Sequence, residues 1–223
     1  MTSLALVVNS DSDPATRVSE ISGLHALREN SVPAVVLQRR IPEAFKIWID
    51  GLLPDNLPWA RVNLMTRDIS AVARQACEEA GMPECPEREW FIDDIASLAK
   101  GFAGVMSAAR LQLRFDVVGS NACKKFHTDV VKARLICTYR GPGTQYGVLT
   151  GGTDPDDIFD VRSGCPIVLR GKRWPNAMSA HFRHRSPPIQ GLAMTRLNLV
   201  LDPLDDGEGC LHINPEWVRE KLC

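Results

Sequence analysis

The stretch LQLRFDV, residues 111–117, decides how the second half of the chain folds. Its apolar members Leu111, Leu113 and Phe115 alternate with polar side chains. In an extended chain, successive side chains point to opposite faces, so this stretch predicts a strand with one buried face. The residues before it follow a helical period instead, so the type of structure is expected to change here.

Upstream, residues 1–110 are expected to form a mainly helical N-terminal support region. A helix over 88–110 is predicted because apolar residues recur there at spacings of three and four, which places them on one face of a helix. Another helix, over 73–81, is expected to end at Gly81, since glycine accepts the positive φ that is common at helix C-termini.

Downstream, residues 111–223 are expected to form the core, with a boundary near Arg110. Further strands are predicted at 130–139, 166–170, about 178–184 and 195–202, separated by Gly/Pro turns. Short strands joined by such turns are typical of a small barrel or sandwich. The chain of 223 residues is long enough for one core with a helical appendage, so one compact unit is predicted.

The charge of the chain argues against a polyanionic partner. Lys and Arg number 26 against 27 Asp and Glu, so there is no overall basic footprint for nucleic acid.

The opening MTSLALVVNSDSDP lacks a basic segment, and its apolar run is too short for a signal peptide or a membrane span. Seven scattered cysteines without a Cys-x-x-Cys pair favour free thiols in a reducing compartment. A cytoplasmic protein without a membrane partner is therefore expected.

The segment FHTDVV, residues 126–131, places His127 and Asp129 two positions apart. On an extended chain both side chains point to the same face and can converge on one point. Continued alternation predicts apolar side chains on that same inward face: Val131, Ala133, Leu135 and Cys137. A carboxylate that points into an apolar interior needs a partner or a metal ion. By itself, His-x-Asp is also compatible with an ion pair on the surface.

A second histidine completes a set of metal ligands. His184 lies in HFRHRSPP, just before a proline turn, where loop-borne sites tend to be found. Two imidazoles and one carboxylate form the facial arrangement of non-haem iron(II) oxygenases, which leaves coordination positions open. His181 is an alternative to His184, and Cys123 is a candidate fourth ligand if the metal is zinc.

Arg196 opens the strand RLNLVLD, residues 196–202. The leucines of this strand face one side, and Arg196 and Asn198 face the other. A guanidinium inside a barrel needs an anion, and it can hold a carboxylate through two parallel hydrogen bonds. That carboxylate is either one of the protein or one of a ligand, to which Asn198 would add a hydrogen bond.

The segment TYRGPGTQYG, residues 138–147, carries polar groups near the expected mouth of the barrel. Its GPG sequence predicts a turn. The polar side chains around the turn are candidates for contacts with a substrate or co-substrate, and Tyr139 is assigned to cofactor binding on this basis.

This order of residues resembles the iron(II) and 2-oxoglutarate dependent dioxygenase superfamily. The similarity consists of His-x-Asp, a glycine-led strand (SGCPIVLRG), a distal histidine and an arginine about a dozen residues later. The ending TRLNLVLD is similar to the co-substrate strand of the AlkB-like branch. The resemblance implies an α+β fold in which a double-stranded β-helix, a jelly-roll or cupin-like barrel, has N-terminal helical support.

The same resemblance implies the roles of single residues. His127, Asp129 and His184 would hold iron(II), and Arg196, assisted by Asn198, would bind 2-oxoglutarate. The implied activity is hydroxylation of a small-molecule or peptide or protein substrate, coupled to decarboxylation of 2-oxoglutarate. A nucleobase substrate is disfavoured, because the strand ends in Leu-Asp where the AlkB-like repair pattern has a second arginine.

The chain as a whole also resembles a bacterial family of unknown function, through FHTDVVKARLICTYRGPGTQY and HRSPP. Members of that family are often associated with zinc-handling GTPases. This resemblance implies an alternative function, a non-catalytic zinc-binding or metal-homeostasis protein that uses the same pocket.

Overall fold

The computed structural model of the chain describes residues 13–175 and 181–205. The α-helices of this part are α1 (Glu43–Gly51), α2 (Ile69–Glu79) and α3 (Pro86–Met106). Its strands are β1 (Thr16–Val18), β2 (Ala34–Leu37), β3 (Ala60–Met65), β4 (Arg110–Val118), β5 (Ala133–Arg140), β6 (Gln145–Val148), β7 (Phe159–Asp160), β8 (Pro166–Arg170), β9 (Phe182–Arg185) and β10 (Arg196–Pro203). None of the described helices is long and apolar enough to cross a membrane.

The strands of the described ranges form two sheets. The larger sheet has seven strands in the order β1-β2-β8-β5-β10-β4-β3, and all neighbours are antiparallel except β1 and β2. The smaller sheet has three antiparallel strands in the order β7-β6-β9. The predicted mixed α+β class is therefore confirmed, whereas no strand pairing within the described ranges closes the two sheets into a single barrel.

Helix α3 covers one face of the larger sheet. Phe91, Ile95 and Phe102 are fully buried and belong to the same apolar core as the inward-facing residues of β4, β5 and β10. Burial of each such side chain contributes about 1.5–3 kcal/mol to folding. The predicted apolar stripe is confirmed, but the helix ends at Met106, because Ser107 adopts left-handed backbone geometry with a φ of 52°. The predicted extension to residue 110 is wrong, since the chain has to turn there to enter β4.

A second apolar core joins the two sheets. It contains side chains from both sheets, namely Ala34, Val36, Ile167 and Leu169 of the larger sheet and Tyr146 and Phe182 of the smaller one. Strands β2 and β8 are therefore buried on both faces, in agreement with their fully buried patterns. The smaller sheet covers the β2–β8 half of the larger sheet, and the β10-β4-β3 half lines a pocket on that side.

The alternation predicted from Asp129 through Cys137 is wrong. Residues 130–132 bend, and β5 begins only at Ala133, so the phase of the alternation changes between the two segments. Ala133 and Cys137 consequently face the helical layer, whereas Arg134 and Ile136 line the pocket. A bend changes which side chains share a face, and the periodicity of the sequence on either side of the bend does not indicate that change.

The region before the predicted boundary near Arg110 contributes more than helices. Strands β1, β2 and β3 come from it and join both ends of the larger sheet, and β3 pairs along its length with β4. The division into 1–110 and 111–223 stays a prediction, and residues 206–223 lie outside the described residues. The strand predicted at about 178–184 falls partly outside them as well; its described part is β9.

Candidate metal centre

A pocket of about 980 Å³ opens on the uncovered half of the larger sheet. Its floor consists of side chains on β3, β4, β5 and β10 that point away from the helical layer. The three residues predicted to bind a metal, His127, Asp129 and His184, all line it. The sequence-predicted site therefore lies in a cavity of a size that accommodates small molecules.

An isolated antiparallel bridge holds His127 and His184 side by side. The backbone N–H of His127 donates to the carbonyl oxygen of His184 at 2.9 Å, and the reverse bond measures 3.0 Å. Residues that exchange both hydrogen bonds lie directly opposite each other, so their side chains project to the same side. The two imidazole centroids are 4.5 Å apart.

The ligand atoms of the three side chains converge. One atom from each of His127, Asp129 and His184 lies within 4.8 Å of the other two. His184 Nε2 is 3.1 Å from Asp129 Oδ2, and His127 Nε2 is 3.7 Å from Asp129 Oδ1. Ligand atoms about 2.1 Å from a metal and at right angles to each other are about 3 Å apart. The cluster therefore fits a single metal ion with facial coordination.

The surroundings orient these side chains and shift their pKa values in different directions, and the hydrogen bond with Asp129 raises the pKa of His127. His127 Nδ1 lies 2.9 Å from the carbonyl oxygen of Lys125, which only accepts hydrogen bonds, so Nδ1 carries the proton and Nε2 faces the cluster. Burial lowers the pKa of His184 and favours its neutral form. Burial raises the pKa of Asp129, but hydrogen bonds with His127 and His184 outweigh burial, and the pKa lies well below its usual range.

Arg134 holds the carboxylate of Asp129 in place. Its Nη1 donates to Asp129 Oδ1 at 2.5 Å, and its Nε and Nη2 donate to the two carboxylate oxygens of Asp202 at 2.7 and 2.6 Å. One guanidinium thus links β5, β10 and the metal-ligand segment. Outer partners of this kind orient ligating carboxylates. Arg134 was not predicted as part of the site, although its position in a strand only five residues after Asp129 was a usable signal.

Arg196 is a buried cation whose guanidinium is only partly satisfied. It is 1% exposed; its Nε donates to the carbonyl oxygen of Pro142 at 2.7 Å and its Nη2 to Thr138 Oγ1 at 3.3 Å. Nη1 is buried, and within the described ranges Arg196 has neither an ion pair nor a partner for Nη1. Burial lowers the pKa of Arg196 to about 10. A buried, unsatisfied guanidinium edge in a pocket fits the carboxylate of a ligand.

Asn198 lies next to Arg196 on the pocket face of β10. Its Oδ1 accepts a hydrogen bond from Thr138 Oγ1 at 2.8 Å, and Thr138 is also the acceptor for Arg196. The three side chains form one connected polar network in the wall of the pocket. The predicted placement of Arg196 and Asn198 on the same face of the strand agrees with this geometry.

Tyr139 lies on the opposite face of the larger sheet. Its hydroxyl donates to Asp94 Oδ2 at 2.6 Å, and its ring packs edge-on against Phe45 and Phe91 in the helical layer. Its neighbour Thr138 bonds to the pocket-lining Asn198 and Arg196, so the alternation within β5 turns Tyr139 away from the pocket. The assignment of Tyr139 to cofactor binding is therefore wrong.

The two alternative ligands lie outside the cluster. His181 is exposed and is not among the side chains that converge with Asp129. Cys123 lines the pocket, in left-handed backbone geometry with a φ of 52°, but does not belong to the ligand cluster either. Within residues 13–175 and 181–205, no fourth side chain joins the three ligands.

Comparison with curated proteins gives no significant match. Among solved structures, the chain is similar to the dioxygenase for auxin oxidation 1 from Arabidopsis thaliana in a complex with 2-oxoglutarate, with a TM-score of 0.47, 13% identity and coverage of 90% of this chain and 93% of that one. It is also similar to a prolyl-4-hydroxylase from Pseudomonas putida, with a TM-score of 0.44, 10% identity and coverage of 84% and 96%.

A third similar structure is an oxidoreductase of the 2OG-Fe(II) oxygenase family from Burkholderia pseudomallei, with a TM-score of 0.41, 16% identity and coverage of 82% and 89%. Likeness at this level of identity carries no information about individual site residues. The sequence itself matches one family over residues 19–202, which includes all three candidate metal ligands and Arg196. The chain therefore belongs to the family described as protein of unknown function DUF1826.

Proposed function

We propose that the chain is an iron(II) and 2-oxoglutarate dependent oxygenase of the hydroxylase type. The observation that carries the proposal is the presence, in one pocket, of a facial His-Asp-His cluster and a buried arginine with an unsatisfied edge. A site that only stores a metal has no need of a buried guanidinium, whereas a site that also binds a dicarboxylate does.

Each side chain has a definite task in this proposal. His127, Asp129 and His184 hold the metal, and the described residues leave its other positions open for ligands. Arg196 binds the distal carboxylate of 2-oxoglutarate with its free edge, while the Thr138–Asn198 network keeps the guanidinium oriented. When bound, iron(II) and 2-oxoglutarate would activate dioxygen, one atom of which would hydroxylate a C–H bond of the substrate while the other enters succinate as 2-oxoglutarate loses carbon dioxide.

The arrangement of the two sheets is consistent with the fold of such enzymes. They face each other across the second apolar core, and His127 pairs with His184 at the β9 edge of the smaller sheet. We therefore include a double-stranded β-helix in the proposal. The volume of the pocket, about 980 Å³, favours a small-molecule substrate over a macromolecular one.

The proposal is tested by anaerobic titration of metal-free protein with iron(II) and 2-oxoglutarate. We expect the weak visible charge-transfer band of bidentate chelation to appear only when both are present. Arg196→Gln should abolish the band at moderate 2-oxoglutarate concentration and leave iron(II) binding intact, because Arg196 lies outside the ligand cluster.

The histidines offer a matched control. His184→Ala should abolish iron(II) binding, whereas His181→Ala, three residues earlier and exposed, should not. Iron(II) binding that survives Asp129→Ala would contradict the metal site itself. Tight zinc binding without a 2-oxoglutarate band would contradict the oxygenase and favour a metal-handling role.

A further inference from the structure

Two arginines lie side by side on the pocket floor, away from the metal cluster. Arg61 on β3 and Arg114 on β4 are directly paired across the two antiparallel strands, and both side chains line the pocket. Like charges directly opposite each other on a sheet are destabilising. Such a pair persists at low cost only if an anion or solvent separates the charges.

Among the described residues, no carboxylate forms an ion pair with either arginine, although Asp55 and Asp116 also line the pocket. Within the part of the chain that the structure describes, neither Arg61 nor Arg114 has an ion pair or a side-chain hydrogen bond. The Nε of Arg114 is buried and has no hydrogen-bond partner. Asp116, two positions along the same face of β4, lines the pocket without forming an ion pair with either arginine. A desolvated donor aimed into a cavity marks a position for an acceptor from outside the chain.

This position is separate from the one at Arg196. Arg114 is paired with Val200 on β10, and Arg196 lies four residues before Val200 on the same strand. At about 3.3 Å per residue, this separation amounts to about 13 Å along the strand. The backbone positions of Arg114 and Arg196 are therefore further apart than the length of a small dicarboxylate, so we treat the arginine pair as a position for a second anion.

Apolar surface adjoins the arginine pair. Trp59 directly precedes β3, is 47% exposed and lines the pocket together with Leu57 and Pro54. An exposed indole next to a pair of guanidinium groups suits a ligand with a flat or apolar body and a charged end.

We propose that Arg61 and Arg114 clamp an oxyanion of the primary substrate, a carboxylate or a phosphate, and that the apolar body of the substrate lies against Trp59. This inference deepens the proposed oxygenase function and rests on it, because the bound anion is a substrate only if the protein is an oxygenase. The paired geometry gives two guanidinium forks for one oxyanion, which is the arrangement for bidentate recognition.

The test uses protein loaded anaerobically with iron(II) and saturating 2-oxoglutarate. Calorimetric titrations with phenylacetate, phenyl phosphate and the neutral phenylacetamide measure the contribution of the charge. We expect at least one anion to bind, with an affinity about 10- to 100-fold higher than that of the amide, which corresponds to the loss of charge-assisted hydrogen bonds. The tighter of the two anions identifies the carboxylate or the phosphate as the preferred group.

Three variants locate the binding position. Arg61→Gln and Arg114→Gln should each lower the anion affinity by about 10-fold or more. Arg67→Gln is the matched control, because its side chain is 77% exposed and does not line the pocket, and it should bind like the wild type. Arg61 is exposed, so its variant tests the clamp even if Arg114→Gln does not fold.

The clamp is overturned if the anions bind no more tightly than the amide, or if both glutamine variants keep the wild-type affinity. Anion binding that is seen on protein without 2-oxoglutarate but is lost on the saturated protein would place the anion at Arg196 and would also overturn the clamp. Failure of the arginine clamp can be distinguished from failure of the oxygenase proposal. Loss of the iron(II) and 2-oxoglutarate band contradicts the oxygenase, while the same titrations on metal-free protein still test the arginine pair.

Discussion

Replacement of Arg134 by methionine should weaken metal binding as well as the fold. Methionine keeps an unbranched apolar stem but removes three charge-assisted hydrogen bonds, one to Asp129 and two to Asp202. The side chains of Arg134, Asp129 and Asp202 are only 15%, 13% and 9% exposed, so solvent screens the lost attraction weakly. Two buried carboxylates would remain without their cation.

The size of the effect follows from that geometry. Removal of one partner of a buried ion pair costs about 3–5 kcal/mol of folding stability. Loss of the outer partner of a ligating carboxylate lowers metal affinity by about 10- to 100-fold, equivalent to about 1.4–2.7 kcal/mol. We therefore expect Arg134→Met to be less stable in the metal-free form and to bind iron(II) at least about 10-fold more weakly.

Calorimetric iron(II) titration under anaerobic conditions measures the affinity, and urea unfolding of the metal-free protein measures the stability. Asp202→Asn is the matched control, because it disrupts the bidentate pair and keeps the bond between Arg134 and Asp129. The control should lose stability with little change in iron(II) affinity. Equal losses of affinity in both variants, or wild-type affinity in Arg134→Met, would refute the positioning role of Arg134.

Three further outcomes are expected. Gly171→Ala should lower both the stability and the iron(II) affinity, because a Cβ there would lie 3.0 Å from the carbonyl oxygen of Asp129 and closer still to the backbone of residue 131. Gly104→Ala, in open space on α3, should instead stabilise the protein by about 0.5–1 kcal/mol. Urea unfolding and calorimetric iron(II) titration measure the two properties, and equal effects of the two variants would contradict this prediction. Tyr139→Phe should lower the stability measured by urea unfolding by about 1–3 kcal/mol, because the Asp94 carboxylate loses the hydroxyl that donates to it. The variant should bind 2-oxoglutarate as tightly as the wild type. A weaker affinity would indicate that Tyr139 belongs to the site. Iodoacetamide should modify the exposed Cys123 well before Cys77, because Cys77 is buried and burial raises its pKa to about 12. Peptide mass spectrometry measures the two rates, and equal rates would contradict the buried placement of Cys77.

Several features of the fold could be predicted because they depend on local periodicity. The alternation in LQLRFDV gave the buried and pocket faces of β4, and the alternation in RLNLVLD put Arg196 and Asn198 on one face of β10. The spacing of three and four in α3 identified its buried face. In each case the side chains that share a face lie within one element, so the backbone geometry of that element alone determines the answer.

The errors come from places where local geometry changes or where distant segments meet. The bend at residues 130–132 changed the phase of β5, so Ala133 and Cys137 face the helices, and the polar turn at residues 141–143 did not reveal that Tyr139 faces them too. The left-handed residue Ser107 shortened α3, since a serine is not the residue type that usually marks such an end. Neither change has a sequence signal as strong as the periodicity that it interrupts.

The sequence by itself determined the α+β class, the faces of the principal strands and the residue types of the site. Only the tertiary structure decided that His184 rather than His181 meets His127, that Arg134 holds Asp129, and that the N-terminal strands extend the larger sheet. The physical reason is the range of the interactions. Periodicity reflects contacts within a few residues, whereas the pairing of strands distant in sequence depends on how whole layers pack, so the convergence of a site becomes visible only once the sheets are assembled.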